Sequence, residues 1–210
     1  MKNKLLIIGA SGHGKVVADI ALKMNKWNAI EFLDDDDKIK MQRDLKIIGK
    51  SKDAYKYLDS YDLFVAIGNN DIRRGIQERL ESAGASLPVL IHPSSIIGNE
   101  VQIGVGTVVM AGTVINCCTK IGEGCIINTG STIDHDNDIN NYVHVSPGAH
   151  LAGGIKIGNL SWIGIGSSII QGINVGQNSV IGAGSVVIKN ILENCIVVGN
   201  PAKVIKNTKV

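Results

Sequence analysis

Between residues 91 and 187 an aliphatic residue recurs at every sixth position without a gap: Ile91, Ile97, Ile103, Val109, Ile115, Ile121, Ile127, Ile133, Ile139, Val145, Leu151, Ile157, Ile163, Ile169, Val175, Ile181 and Val187. Neither the 3.6-residue period of a helix nor the alternation of an ordinary strand gives a step of six. Such a chain folds as short flat strands joined by corners, three to a triangular coil, so that residues 18 apart stack at about 4.8 Å. The aliphatic side chains fill the interior and contribute about 1.5–3 kcal/mol each on burial. Four positions after them comes a mostly small residue, such as Thr107, Thr119, Cys125, Ser131, Ala149 or Ser161, which lets the corner turn. A thin-walled coil also accounts for 25 glycines and only 4% aromatic residues.

Residues 1–88 lack the repeat. KLLIIG reads as a strand, GASGHGK as a loop and VVADIALKM as an amphipathic helix; AIEFLDDD is a second strand ending in acids. LKIIG, a helix over 53–58, DLFVAIGNN and a helix over about 72–83 follow. Strands alternating with helices predict a small Rossmann-like parallel sheet. The expected architecture is therefore an α/β domain over 1–88, then a parallel β-solenoid with a C-terminal tail over 89–210, joined near PVLIHPSS.

The net charge of +2 is too small to mark a nucleic-acid or membrane surface. No apolar run approaches the roughly 18 residues of a spanning helix, and LLII is too short for a secretory signal, so a cytoplasmic protein is expected. Cys117, Cys118, Cys125 and Cys195 show no zinc spacing, and no metal is expected.

The loop Gly9–Lys15, with Gly12, His13 and Gly14, lies between strand and helix, where free amides and the helix dipole favour a phosphate. It fits neither GxGxxG nor a P-loop, since Val16 stands where a magnesium-binding hydroxyl belongs; the bland alternative is a tight packing turn. AIGNN, with Gly68 and Asn69, ends another strand on the same edge. Of the acids Asp34–Asp37, Asp34 or Asp35 is the candidate to meet a ribose or base, and the rest read as a solvated turn. In the solenoid, Asp134-His135-Asp136-Asn137-Asp138 interrupts the pattern while Ile133 and Ile139 keep register. An outward imidazole beside a carboxylate suits a general base, a polar surface turn being the alternative. Cys117, His135, Gly153, Gln171 and Lys189 form one column, so Gly153 is expected to leave room for a thioester and to offer its amide to an oxyanion. His144 lies one and a half faces from His135, so the two meet only across a subunit groove. Cys117 raises an acyl-cysteine alternative but has no charged activator nearby in sequence, and Cys125 is expected inside. His92 and His150 read as linker or surface residues.

GASGHGK, FLDD, AIGNN, LIHPS, INTGSTIDHDN, HVSPGAHLAGG and GNPAK, in that order, resemble the bacterial nucleotide-sugar acetyltransferases of the hexapeptide-repeat superfamily, a group with UDP-4-amino-sugar N-acetyltransferases and related sialic acid O-acetyltransferases. The resemblance covers essentially the whole chain. It implies a left-handed β-helix, a homotrimer, acetyl-CoA as co-substrate in inter-subunit grooves, and a nucleotide sugar on the N-terminal domain. It further implies His135 as base, Asp136 as its acidic partner in place of a Glu, and His144 as a second active-site and CoA-binding histidine. Gly153, Ile165 and Ala183 fall on CoA-contacting positions, and Lys203 lies toward the nucleotide end of CoA. Sugar O-acetylation and a non-catalytic trimeric binding module are the rival readings.

Overall fold

The computed structural model describes residues 2–39 and 45–207. The chain divides into two compact units, Met1–Pro93 and Ser94–Val210.

In the first unit β1 (Lys4–Ile8), α1 (Gly12–Met24), β2 (Ala29–Leu33), β3 (Lys46–Gly49), β4 (Asp62–Val65) and α2 (Asn70–Ser82) follow in order. The sheet runs β3-β2-β1-β4, all parallel. Leu5, Leu6, Ile7 and Ile8 are all fully buried, because a central parallel strand is covered on both faces; this explains a continuous apolar run without alternation. Strand order reverses between β1 and β4, so the loops after them diverge and frame a crevice at the carboxyl edge. The helix expected over 53–58 is a 3-10 helix, Ser51–Tyr57, whose Asp53 carboxylate accepts from Lys50 N at 2.9 Å. α2 starts before the expected Ile72 because Asn69 caps it, its side chain accepting from Ile72 N at 3.0 Å.

The second unit is a left-handed parallel β-helix. Its strands are two residues long and pair with those one coil away, as in Ile121↔Ile139, Val145↔Ile163 and Leu151↔Ile169. From Val109 to Val187 each aliphatic hexad residue is at most 3% exposed. The small residues do more than permit a turn. Thr107, Thr119 and Ser161 are fully buried, and each hydroxyl donates to a carbonyl of the next coil (2.8 Å in each case) while accepting an amide of the coil above. Every sixth residue from Glu100 to Gly184 takes positive φ, and these include Cys118, Asp136 and Asn178. The last coil is short: Ile181 pairs with Val197, which ends the hexad count after Val187. Cys195–Val198 then pairs antiparallel with Lys203–Asn207. No helix among the described residues is long and apolar enough to cross a membrane.

Candidate active site

Between Thr132–Ile133 and Asp138–Ile139, whose isoleucines stay inside, the chain turns a corner that leaves His135 and Asp136 outside. Asp136 holds the corner's left-handed position (φ 58°), which Asp tolerates better than most residues. That twist brings its Oδ2 to 2.7 Å from His135 Nδ1, with both side chains well exposed. With Nδ1–H donating to the carboxylate, Nε2 keeps its lone pair, the state a general base requires.

Buried Asn137 secures this corner from within. Its Nδ2 donates to Asp134 O (2.6 Å) and Ala152 O (3.0 Å), and its Oδ1 accepts from Ile155 N (3.0 Å). Sequence reasoning missed it, although an Asn at the fourth position after Ile133, where the repeat sets a smaller residue, was a usable signal.

The expected column is present from Cys117 to Gln171: Asp136 N donates to Cys117 O, Gly154 N to His135 O and Gly172 N to Gly153 O. The space at Gly153, expected to receive a thioester, is instead filled by the imidazole itself. A β-carbon there would stand 2.6 Å from His135 Cε1 and 2.7 Å from Nε2. The Gly153 amide has no partner among the described residues. At a different corner, by contrast, Asn141 and Asn159 side chains accept the amides of Glu123 and Asn141 (3.0 and 2.9 Å).

His144 does not share the His135 corner. It lies on a strand, His144–Val145, within the sheet face opposite that corner, in register with Trp162. Its ring is 8% exposed, stacks on the Trp162 indole (centroids 5.0 Å, planes 20° apart), and places Nε2 3.1 Å from Asn128 Nδ2. Trp162 Nε1 in turn donates to Ser146 Oγ at 2.7 Å. His144, Ser146 and Trp162, with Ile165, Val180 and Ala183, line a groove of about 420 Å³, which brings His144, Ile165 and Ala183 together. Lys203 is exposed on the terminal hairpin of the same sheet, two strands beyond Val180–Ile181.

In the first unit, Gly14 is buried, and a β-carbon there would collide with Gly9 O at 1.9 Å, so this glycine serves close packing. Gly12 is exposed with open space around it. His13 Nε2 is buried without a hydrogen-bond partner among the described residues. Burial, and then the positive charge of Arg73, lower the His13 pKa to about 4. Asp34 is occupied by backbone: it accepts from Ala10 N (2.6 Å) and Asp36 N (2.8 Å), tying the glycine loop to the end of β2. Asp35 accepts from Ser51 N at 3.0 Å, and Lys50 pairs with Asp37. Gly68 is half-buried and Asn69 exposed, on the loop after β4.

Cys117 is exposed one coil below His135, beside Cys118, whose thiol is pushed up by desolvation and by Cys117. Cys125 is interior, its Sγ 3.1 Å from Asn140 O. His150 is exposed and pairs with Thr132 Oγ1 at 2.9 Å.

The family model of the PglD N-terminal domain matches residues 4–80. UDP-N-acetylbacillosamine N-acetyltransferase of Bacillus subtilis (strain 168) is 37% identical over 114 residues, which take in 53% of this chain and only 52% of that relative's length. The acetyltransferase domain of PglB from Neisseria gonorrhoeae FA1090, solved with acetyl coenzyme A, superimposes with TM-score 0.92 and 41% identity over 98% of this chain and 100% of that one. A mutant of perosamine N-acetyltransferase from Caulobacter crescentus, solved with CoA and GDP-perosamine, gives TM-score 0.92 and 32% identity over 97% of each chain. With the full solenoid, the His135–Asp136 corner and the glycine loop in place, this chain belongs to the hexapeptide-repeat family of acetyl-CoA-dependent N-acetyltransferases of nucleotide-linked amino sugars.

Proposed function

We propose that this protein, as a cytoplasmic homotrimer, transfers the acetyl group of acetyl-CoA to the amino group of a nucleotide-linked 4-amino sugar by direct attack, with His135 as general base. The observation that carries the reading is the His135 Nδ1–Asp136 Oδ2 contact of 2.7 Å, which leaves the ring's lone pair to Nε2. His135 Nε2 takes a proton from the sugar nitrogen as its electron pair adds to the thioester carbonyl carbon. The oxyanion is met by an amide donor, for which the unpartnered Gly153 N–H is the candidate. Collapse breaks the C–S bond, and the imidazolium returns the proton to the departing sulfur.

The groove of His144, Trp162, Ile165 and Ala183 suits the pantetheine arm, with Lys203 toward the nucleotide of CoA. Since His135 and His144 lie on different sides of one coil, the groove of one subunit has to meet the His135 corner of its neighbour; this supports the trimer. The nucleotide falls to the first unit, through Gly12, His13, Asp35, Gly68 and Asn69, with Asp34 and Gly14 shaping the loop.

The test is incubation with acetyl-CoA and UDP- or GDP-linked 4-amino sugars. The expected product gains one acetyl mass, stable to mild base as an amide is. A base-labile ester would replace this reading with O-acetylation, and failure to bind acetyl-CoA would leave a binding module. Sedimentation equilibrium at the trimer mass is expected.

A further inference from the structure

Arg73, the fourth residue of α2, is 1% exposed and the largest fully buried side chain. A cation is seldom sealed from water, and the positive end of a helix is an unfavourable place for one. Its fork is specific: Nη1 donates to Ile67 O (2.9 Å) and Gly68 O (3.1 Å), and Nη2 to Asn70 Oδ1 (2.8 Å). In a planar trans peptide the N–H points opposite to the carbonyl. Drawing in the carbonyls of Ile67 and Gly68 therefore turns the amides of Gly68 and Asn69 away from the guanidinium, and neither has a partner among the described residues.

The glycine loop abuts this turn, since a β-carbon at Gly9 would stand 2.8 Å from Ala66 O. That loop supplies His13, whose buried Nε2 lacks a partner. Two outward amides, a neutral imidazole and a buried positive charge together suit a dianionic group.

We propose that Arg73 is a positioning residue of the nucleotide-sugar site: held beneath the Ile67–Asn70 turn, it aims the Gly68 and Asn69 amides at the diphosphate without touching it. The inference rests on the reading of this crevice given above. Lysine at this position keeps the charge and loses the fork; glutamine loses both.

The experiment is calorimetry on the full chain with UDP, GDP and acetyl-CoA, alongside NMR titration of the His13 imidazole. R73K and R73Q are both expected to weaken nucleoside diphosphate binding by about tenfold or more, with acetyl-CoA binding unchanged. The His13 pKa should stay near about 4 in R73K and rise in R73Q. Nucleotide affinity within about twofold of wild type in both variants, or a His13 pKa indifferent to the charge at 73, overturns the proposal while the site reading stands. If wild type binds acetyl-CoA but neither nucleotide, the site reading fails and this inference with it. Should R73Q not fold, Asn70→Ala frees one arm of the fork and is expected to weaken UDP or GDP binding; unchanged affinity there overturns the proposal.

Discussion

The imidazole of His135 lies against the backbone of Gly153, its Cε1 2.6 Å from where a β-carbon at that position would stand. The ring is thus positioned by a missing side chain one coil away as well as by the carboxylate next to it.

Gly153→Ala is therefore expected to displace the ring and lower kcat by roughly 10²-fold, near the loss expected for removing a base. The site is exposed, so the melting temperature should change little. Steady-state kinetics and a thermal melt together check this; wild-type kcat would show that the ring has room to spare.

His135→Ala should lower kcat by roughly 10²–10⁴-fold with acetyl-CoA affinity nearly unchanged. Asp136→Asn keeps a residue that accepts positive φ but loses the carboxylate, and a smaller loss of roughly 10–10²-fold is expected. A pH–rate profile on both variants is the check, and activity in His135→Ala equal to wild type would remove the imidazole from the chemistry.

Trp162→Ala removes the stack on His144, worth about 0.5–1.5 kcal/mol for an aromatic pair. The expected effect is a rise of up to about tenfold in KM for acetyl-CoA with kcat less affected. A KM that does not move would place the thioester arm elsewhere.

His13 offers a stability test. Its pKa is lowered from 6.5 to about 4 in the folded chain, so across that interval the unfolded form binds more protons and stability falls as pH drops. The contribution between these values is roughly 3 kcal/mol, lost by about pH 4. Trp27, buried with its indole donating to Asp62 at 2.8 Å, reports on the first unit in a Trp162→Phe background. Urea unfolding there should show a steeper decline below pH 6.5 than the same protein carrying His13→Gln.

The aliphatic hexad made the solenoid legible because one buried position per strand is all the fold demands. The outward corner at His135 and Asp136 was legible for the same reason: with Ile133 and Ile139 held inside, the register turns these two positions to the outside. The His144–Trp162 stack was implicit in their spacing of 18, yet a Trp in a repeat reads first as surface. Asn137 was signalled only by standing where the repeat sets a smaller residue, and Arg73 was opaque: its burial depends on carbonyls brought to it by the fold, and an arginine on an amphipathic helix ordinarily faces water. Asp34 and Asp35 stood as joint candidates, but spacing does not reveal that the Asp34 carboxylate is taken up by the amides of Ala10 and Asp36 and that of Asp35 by Ser51 N. The short last coil was visible only as the place where the count fails.

That contraction, followed by a strand of reversed direction, also changes what the last coil offers at its sheet edge. A stack of identical parallel rungs would present its final rung as a template for another chain to extend. Here the reversed strand Lys203–Asn207 covers one side of the terminus with a partner of the wrong polarity and two lysines, Lys203 and Lys206. Addition of a further parallel strand to that edge is therefore discouraged.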